Sequence, residues 1–213
     1  MNEGRSERKR RAILEAAEEV FLHGGYLGTN MDEIAARSQV SKQTVYKHFG
    51  NKERLFVEIV THMTTSAGDL VHDQPGPTAD TDLATYLTDY AHRQLTVVLT
   101  PRLMRVRRLV IGEVPRFPEL AEALYHHGPG RAIDNLARVF TQLSFTGRLP
   151  IDDPHEAASR FNWLVMSEPI NRVMLLGDDA IPTSEELRLH AAQSVRLFLA
   201  AHTRTEPDGD PSQ

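Results

Sequence analysis

Thr29–Phe56 reads TNMDEIAARSQVSKQTVYKHFGNKERLF, and these 28 residues hold two short helices, a tight turn and the start of a third helix. Asn30 stands at an N-cap with Glu33 three residues on, a spacing that predicts a reciprocal capping box. Met31, Ile34 and Ala35 then share one face. Ser41 is placed to cap a second helix over 42–49, with Val45 and Phe49 four apart on its inward side. Lys42, Gln43, Thr44, Tyr46, Lys47 and His48 remain for the outward side. Those side chains suit a DNA groove: Lys meets phosphate or guanine, Gln pairs with adenine, and hydroxyls bond phosphate oxygens. Asn51 caps the next helix, so free amides, a positive dipole end and the Lys52 ammonium are expected to converge where a phosphate lies. The stretch predicts a helix-turn-helix.

With residues around it, this segment resembles the N-terminal DNA-binding domain of the tetracycline-repressor (TetR) family of bacterial regulators. The likeness runs from ILEAA at 13–17 and FLHGGY at 21–26 through Ile34-Ala35, Val40-Ser41, TVY at 44–46 and HFGNKERLF at 48–56. It implies that Lys42, Gln43 and Lys47 face bases while Thr44, Tyr46, His48 and Lys52 hold the DNA backbone. One position departs from the pattern. The family's turn usually reads Ala-Gly-Val-Ser, whereas here Ser38-Gln39-Val40-Ser41 puts Gln at the glycine that tolerates positive φ.

The whole chain has 213 residues, 40% of them hydrophobic and 25% charged, which excludes the disordered class. It has no cysteine, so disulfides and thiolate metal or redox sites are excluded. No apolar run approaches the roughly 18 residues of a membrane span, and no apolar segment follows the charged N-terminus. Membrane insertion and secretion are therefore not expected, and the cytoplasm, with association to the nucleoid, is. The net charge of −5 is divided unevenly: residues 1–55 hold ten Lys and Arg against eight Asp and Glu, leaving 14 against 21 in the remainder. Arg5, Arg8, Lys9, Arg10 and Arg11 form the sharpest basic cluster, expected as an arm reaching phosphates or the minor groove.

The remaining pattern is helical throughout, with no competing strand signal, and predicts an all-α chain. Helix one is expected from about Glu7 to His23, stopped by Gly24 and Gly25. After a loop at 73–78, further helices are expected near 79–99, 101–114, 118–127, 129–146, 153–176 and 183–203. Domain boundaries are expected at 1–52 for the helix-turn-helix domain and 53–204 for a larger helical regulatory domain, with a disordered polar tail at 205–213. RRLVIGE at 107–113, FPEL at 117–120, GPGR at 128–131 and GRL at 147–149 also resemble regulators with an AefR-like C-terminal domain. That resemblance implies a small-molecule pocket among the central helices and a homodimer made by the last two long helices.

Tyr86, Tyr90, Met104, Phe117, Tyr125, Trp163 and Met166 are candidates to line an apolar pocket with a few hydroxyl handles; Arg102, Arg105 and Arg108 recur every three residues on one helix face, as for an anionic effector or a solvated, salt-bridged face, and Arg108 joins the ligand-binding candidates. The helix around 161–176 is apolar nearly all round. The final helix has Leu187, Ala191, Val195 and Phe198 on one stripe and Leu189, Ala192 and Leu197 near another, as when one face packs internally and another meets a twin. Phe161, Val165, Val173, Leu187, Ala191, Val195 and Phe198 are expected at the dimer interface. Adjacent His126 and His127 point about 100° apart on a helix, which makes a poor metal site. No metal, cofactor or catalytic constellation is expected: there is no nucleophile elbow, phosphate-binding glycine loop or zinc motif.

The sequence predicts a homodimeric, DNA-binding transcription regulator, a repressor released from a palindromic double-stranded operator by a small-molecule effector. The resemblance alone supplies the release by ligand. The alternative is a helical small-molecule-binding or scaffolding protein whose DNA module is idle.

Overall fold

The computed structural model describes residues 4–202, and the tail expected at 205–213 lies outside them. Among the described residues there are ten α-helices and no strand: α1 (Arg5–Gly28), α2 (Met31–Arg37), α3 (Lys42–Phe49), α4 (Lys52–His72), α5 (Leu83–Val98), α6 (Pro101–Glu113), α7 (Pro118–Tyr125), α8 (Arg131–Phe145), α9 (Pro154–Leu176) and α10 (Ser184–Ala200). A π-helical turn at His126–Gly130 and a 3-10 turn at Asp178–Ala180 complete the list. None of these helices is long and apolar enough to cross a membrane.

The chain divides into two compact units, at a different place from the expected 52/53 boundary. Among the described residues, one unit runs through Gly68 and takes back Pro101–Gly128; the other holds Asp69–Thr100 and the residues from Pro129 on. The reason is a shared core. Ile13, Ala17, Val20 and Phe21 of α1, Ile34 of α2 and Val45 of α3 bury against Leu55, Phe56, Ile59, Val60 and Met63 of α4, and Val106, Val110 and Leu120 complete the cluster. The helix-turn-helix therefore sits on a floor made by α4, α6 and α7, not on three helices alone. The rings of Phe21 and Phe56 stack at 4.6 Å, and Tyr26 bridges Phe56 at 5.4 Å and Phe117 at 4.5 Å.

Two local details differ from expectation. Helix α1 begins at Arg5 and is broken at Gly25 (φ 67°, ψ −177°), with a last turn carrying on to Gly28. At α2 the Asn30 side chain accepts from the Asp32 amide at 2.9 Å, while Glu33 turns to Arg37 and closes no capping box. The full reciprocal box stands instead at α10, between Thr183 and Glu186. Gln39 takes the left-handed conformation the turn demands, with φ of 54°.

The second unit packs α5, α8, α9 and α10 together. Its centre is a ring cluster in which Phe140 stacks on Phe198 at 5.3 Å and Phe161 meets both edge-on, at 6.0 and 5.0 Å. Asp153 caps α9, its side chain accepting from the His155 and Glu156 amides, Pro154 is the first helical residue, and a second proline, Pro169, lies buried inside the helix without ending it. All seven residues expected at a dimer interface, Phe161, Val165, Val173, Leu187, Ala191, Val195 and Phe198, are buried within this chain. A side chain consumed by its own core has no surface left for a twin, so these seven are core positions of the single chain. The large apolar residues that α9 and α10 expose are Trp163, Leu164, Leu175, Leu176, Leu189 and Leu197.

Candidate nucleic-acid interface

The candidate surface is the outer face of α3. Ser41 caps it, its Oγ accepting from the Thr44 amide at 3.2 Å, and Val45 and Phe49 anchor the inner face. Gly50 ends the helix with φ of 77°, its amide donating to the Tyr46 carbonyl at 2.8 Å. The Asn51 side chain then accepts from the Arg54 amide at 2.8 Å, starting α4 after a turn of two residues. Rigid caps at both ends thus hold α3 at a fixed angle on the core.

Of the seven residues singled out from sequence, Lys42, Gln43, Tyr46 and Lys47 are exposed, and Thr44 and His48 are half-buried. All six belong to α3 and stand clear of the two core positions. Two of the cations already have partners. Lys42 Nζ lies 2.7 Å from Asp32 Oδ1, and that hydrogen bond holds the Lys42 pKa above its usual value. Lys52 departs further from expectation: its ammonium donates to the Thr29 carbonyl at 2.7 Å and lies 4.7 Å from the centre of the Tyr26 ring. Partial burial lowers its pKa, with Glu113 acting in the opposite direction. In this conformation Lys52 ties α4 to the end of α1.

Beside α3 is a groove of about 730 Å³ lined by Tyr46, Lys47, His48, Asn51 and Arg54, with Glu53, Glu58 and Glu119 along it. Arg54, exposed and next to the Gly50 turn, was not picked out from sequence; its place three residues beyond the Asn51 cap is the signal that marks it. The basic cluster forms the first turns of α1 and is no free arm: Arg10 reaches Glu58 at 2.5 Å and Arg11 pairs with Glu15 at 3.8 Å. Arg5 and Arg8 remain exposed.

The residues expected to line one ligand pocket are distributed over both compact units. Met104, Arg108, Phe117 and Tyr125 belong to the first compact unit, where Met104 is fully buried, Phe117 packs on Tyr26 and Tyr125 is exposed edge-on to His126. In the second unit Met166 is buried and Trp163 exposed. Tyr86 and Tyr90 share a cavity of about 230 Å³ that His72, Arg93, Asn135 and Arg138 also line. Among the described residues no three His, Asp or Glu side chains converge as metal ligands.

Residues 13–59 match the family of bacterial regulatory proteins called the tetR family, and residues 85–204 match the C-terminal domain of AefR-like transcriptional repressors. Over 192 residues, 90% of this chain and 89% of the relative, the sequence is 29% identical to the transcriptional repressor Rv3405c of Mycobacterium tuberculosis. The fold matches the crystal structure of a TetR-family transcriptional regulator from Mesorhizobium loti with a TM-score of 0.87 and 35% identity, covering 95% of this chain and 100% of that one. It also matches the flavonoid-responsive regulator FrrA with a TM-score of 0.78 and 31% identity, covering 93% and 99%.

Proposed function

This chain belongs to the tetR family of bacterial regulatory proteins and is a DNA-binding transcription regulator, and from that membership we propose a homodimeric repressor that leaves a palindromic operator when a small ligand binds. The observation that carries the reading is the outer face of α3, where Gln43, Tyr46 and Lys47 are exposed on a helix held by caps at both ends. A helix of this width enters the major groove, where Gln43 meets a base edge and Thr44, Tyr46 and Lys47 meet phosphates or bases. The exposed leucines of α9 and α10 support the dimer, since Leu189 and Leu197 are 60% and 63% exposed on the helix whose opposite stripe is buried. Two recognition helices related by a twofold axis read half-sites about 34–36 Å apart, or a multiple of that. Release by ligand is a population shift toward a dimer whose helices no longer match that spacing, and about 1–3 kcal/mol of coupling suffices. The response of FrrA to flavonoids, stated in its name, supports a small organic molecule as the signal.

The test joins assembly to DNA binding. Leu189→Arg and Leu197→Arg, each followed by sedimentation and by duplex binding, should give folded monomers with duplex affinity lowered about tenfold or more. Dimers that bind duplex as tightly as the parent would remove this face from the interface and the dimer from the account.

A further inference from the structure

The cavity shared by Tyr86 and Tyr90 has a composition that selects a ligand class. Two guanidinium groups line it, and no carboxylate does. Arg93 donates from Nε to the Val71 carbonyl at 3.0 Å and stands 5.9 Å from the centre of the Tyr90 ring, which leaves its terminal nitrogens without a carboxylate among the described residues. Arg138 donates to the Asn135 side chain and the Asp134 carbonyl, again with no carboxylate partner. The Tyr86 hydroxyl has no partner among the described residues, whereas the buried Tyr90 hydroxyl is engaged with His72 Nδ1 at 3.2 Å. His72 adds no charge at neutral pH: burial, with Arg131, Arg93 and Arg138 around it, pushes its pKa down to about 4 against the smaller pull of Asp69. The cavity is thus cationic through its arginines, walled by aromatic rings, and equipped with one spare hydroxyl.

We propose that this cavity binds a small aromatic monocarboxylate, its anion held by Arg93 and Arg138 and its ring against Tyr86; this rests on reading the second unit as the ligand-receiving part of the regulator. The guanidinium fork matches a carboxylate with paired hydrogen bonds, which a neutral amide of the same shape cannot reproduce. A volume of about 230 Å³ falls below the roughly 300–1,000 Å³ of pockets for drug-sized molecules, so it suits one ring. An inorganic anion would leave the tyrosine walls unused.

The experiment is calorimetric titration of the full chain with benzoate, with benzamide and cyclohexanecarboxylate as controls. Benzoate should bind, benzamide about tenfold or more weaker, and cyclohexanecarboxylate several-fold weaker. Arg93→Gln and Arg138→Gln should each weaken benzoate about tenfold, and because Arg138 is exposed its variant keeps the test open if Arg93→Gln fails to fold. Three results would overturn the proposal: no benzoate binding up to about 10 mM, equal binding of benzamide, or affinity unchanged in the folded variants. Duplex binding by the same preparation separates the two readings. Lost benzoate binding with retained duplex binding defeats this ligand class alone, and loss of duplex binding defeats the regulator itself.

Discussion

Lys42 Nζ and Asp32 Oδ1 are 2.7 Å apart, so the first residue of the recognition helix is held by a carboxylate of the preceding helix. Both side chains are more than half exposed, and a pair of that kind contributes at most about 1 kcal/mol. The contact is therefore easy to break. The proposed DNA contact requires the ammonium to exchange Asp32 for phosphate or guanine, leaving a carboxylate that would repel the backbone. Asp32→Asn should tighten duplex binding several-fold and steepen its salt dependence by about one unit in the log–log slope, at a stability cost below about 1 kcal/mol from the lost N-terminal charge. Fluorescence anisotropy over a salt series measures both. Unchanged affinity and slope would mean that Lys42 does not reach DNA.

Gln39 pays for the turn between α2 and α3. Its φ of 54° strains a residue with a Cβ by about 1 kcal/mol, partly offset by the smaller chain entropy it had to lose. Gln39→Gly should therefore raise the urea midpoint, with a gain of about 0.5 kcal/mol. A lowered midpoint would show that the Gln39 side chain makes a stabilising contact outweighing the strain.

Folding stability should fall in mild acid through His72. Its folded pKa of about 4 lies below the ordinary 6.5, so the unfolded chain binds the proton first. The contribution is complete above the unfolded value and is lost as pH falls from 6.5 toward 4. A part-exposed ring is screened by solvent, so the loss is about 1–2 kcal/mol. Denaturant midpoints measured across that window should slope less in His72→Gln than in the parent. Parallel slopes would show that His72 titrates normally in the fold.

Gln94 Nε2 donates to Asn162 Oδ1 at 2.8 Å inside the second unit, and Gln94 Oε1 and Asn162 Nδ2 are both buried without a partner. Removing one side of such a pair strands the other. Asn162→Leu should cost about 1–3 kcal/mol, and adding Gln94→Met should recover most of it, because two apolar side chains leave no orphaned amide. Chemical denaturation of the two singles and the double measures the coupling. Strictly additive losses would mean that each amide is satisfied independently.

What the sequence disclosed followed the range of the interaction. The caps at Ser41 and Asn51, the strained turn at Gln39 and the two faces of α3 are local, and residue spacing declares them. Val106, Val110 and Leu120 give no such sign of joining the core of the helix-turn-helix, because their partners lie some 40 or more residues away in the chain. The stripes of α10 illustrate the same limit: periodicity separates Leu187 and Val195 from Leu189 and Leu197, but only packing decides which pair is inside. Lys52 was legible as a cation at a helix start, whereas its bond to the Thr29 carbonyl depends on a chain reversal that its neighbours do not encode. Of the ligand candidates, Tyr86 and Tyr90 stayed together because they are one helical turn apart.

The central claim, a dimer reading operator DNA with α3, is tested most directly by selecting a random duplex library on the purified protein at fixed, near-physiological salt. The account predicts enrichment of an inverted repeat by the parent, none by Tyr46→Ala, and a shifted preference at one base position in each half-site for Gln43→Ala. Failure of the parent to enrich any sequence above the Tyr46→Ala control would contradict it.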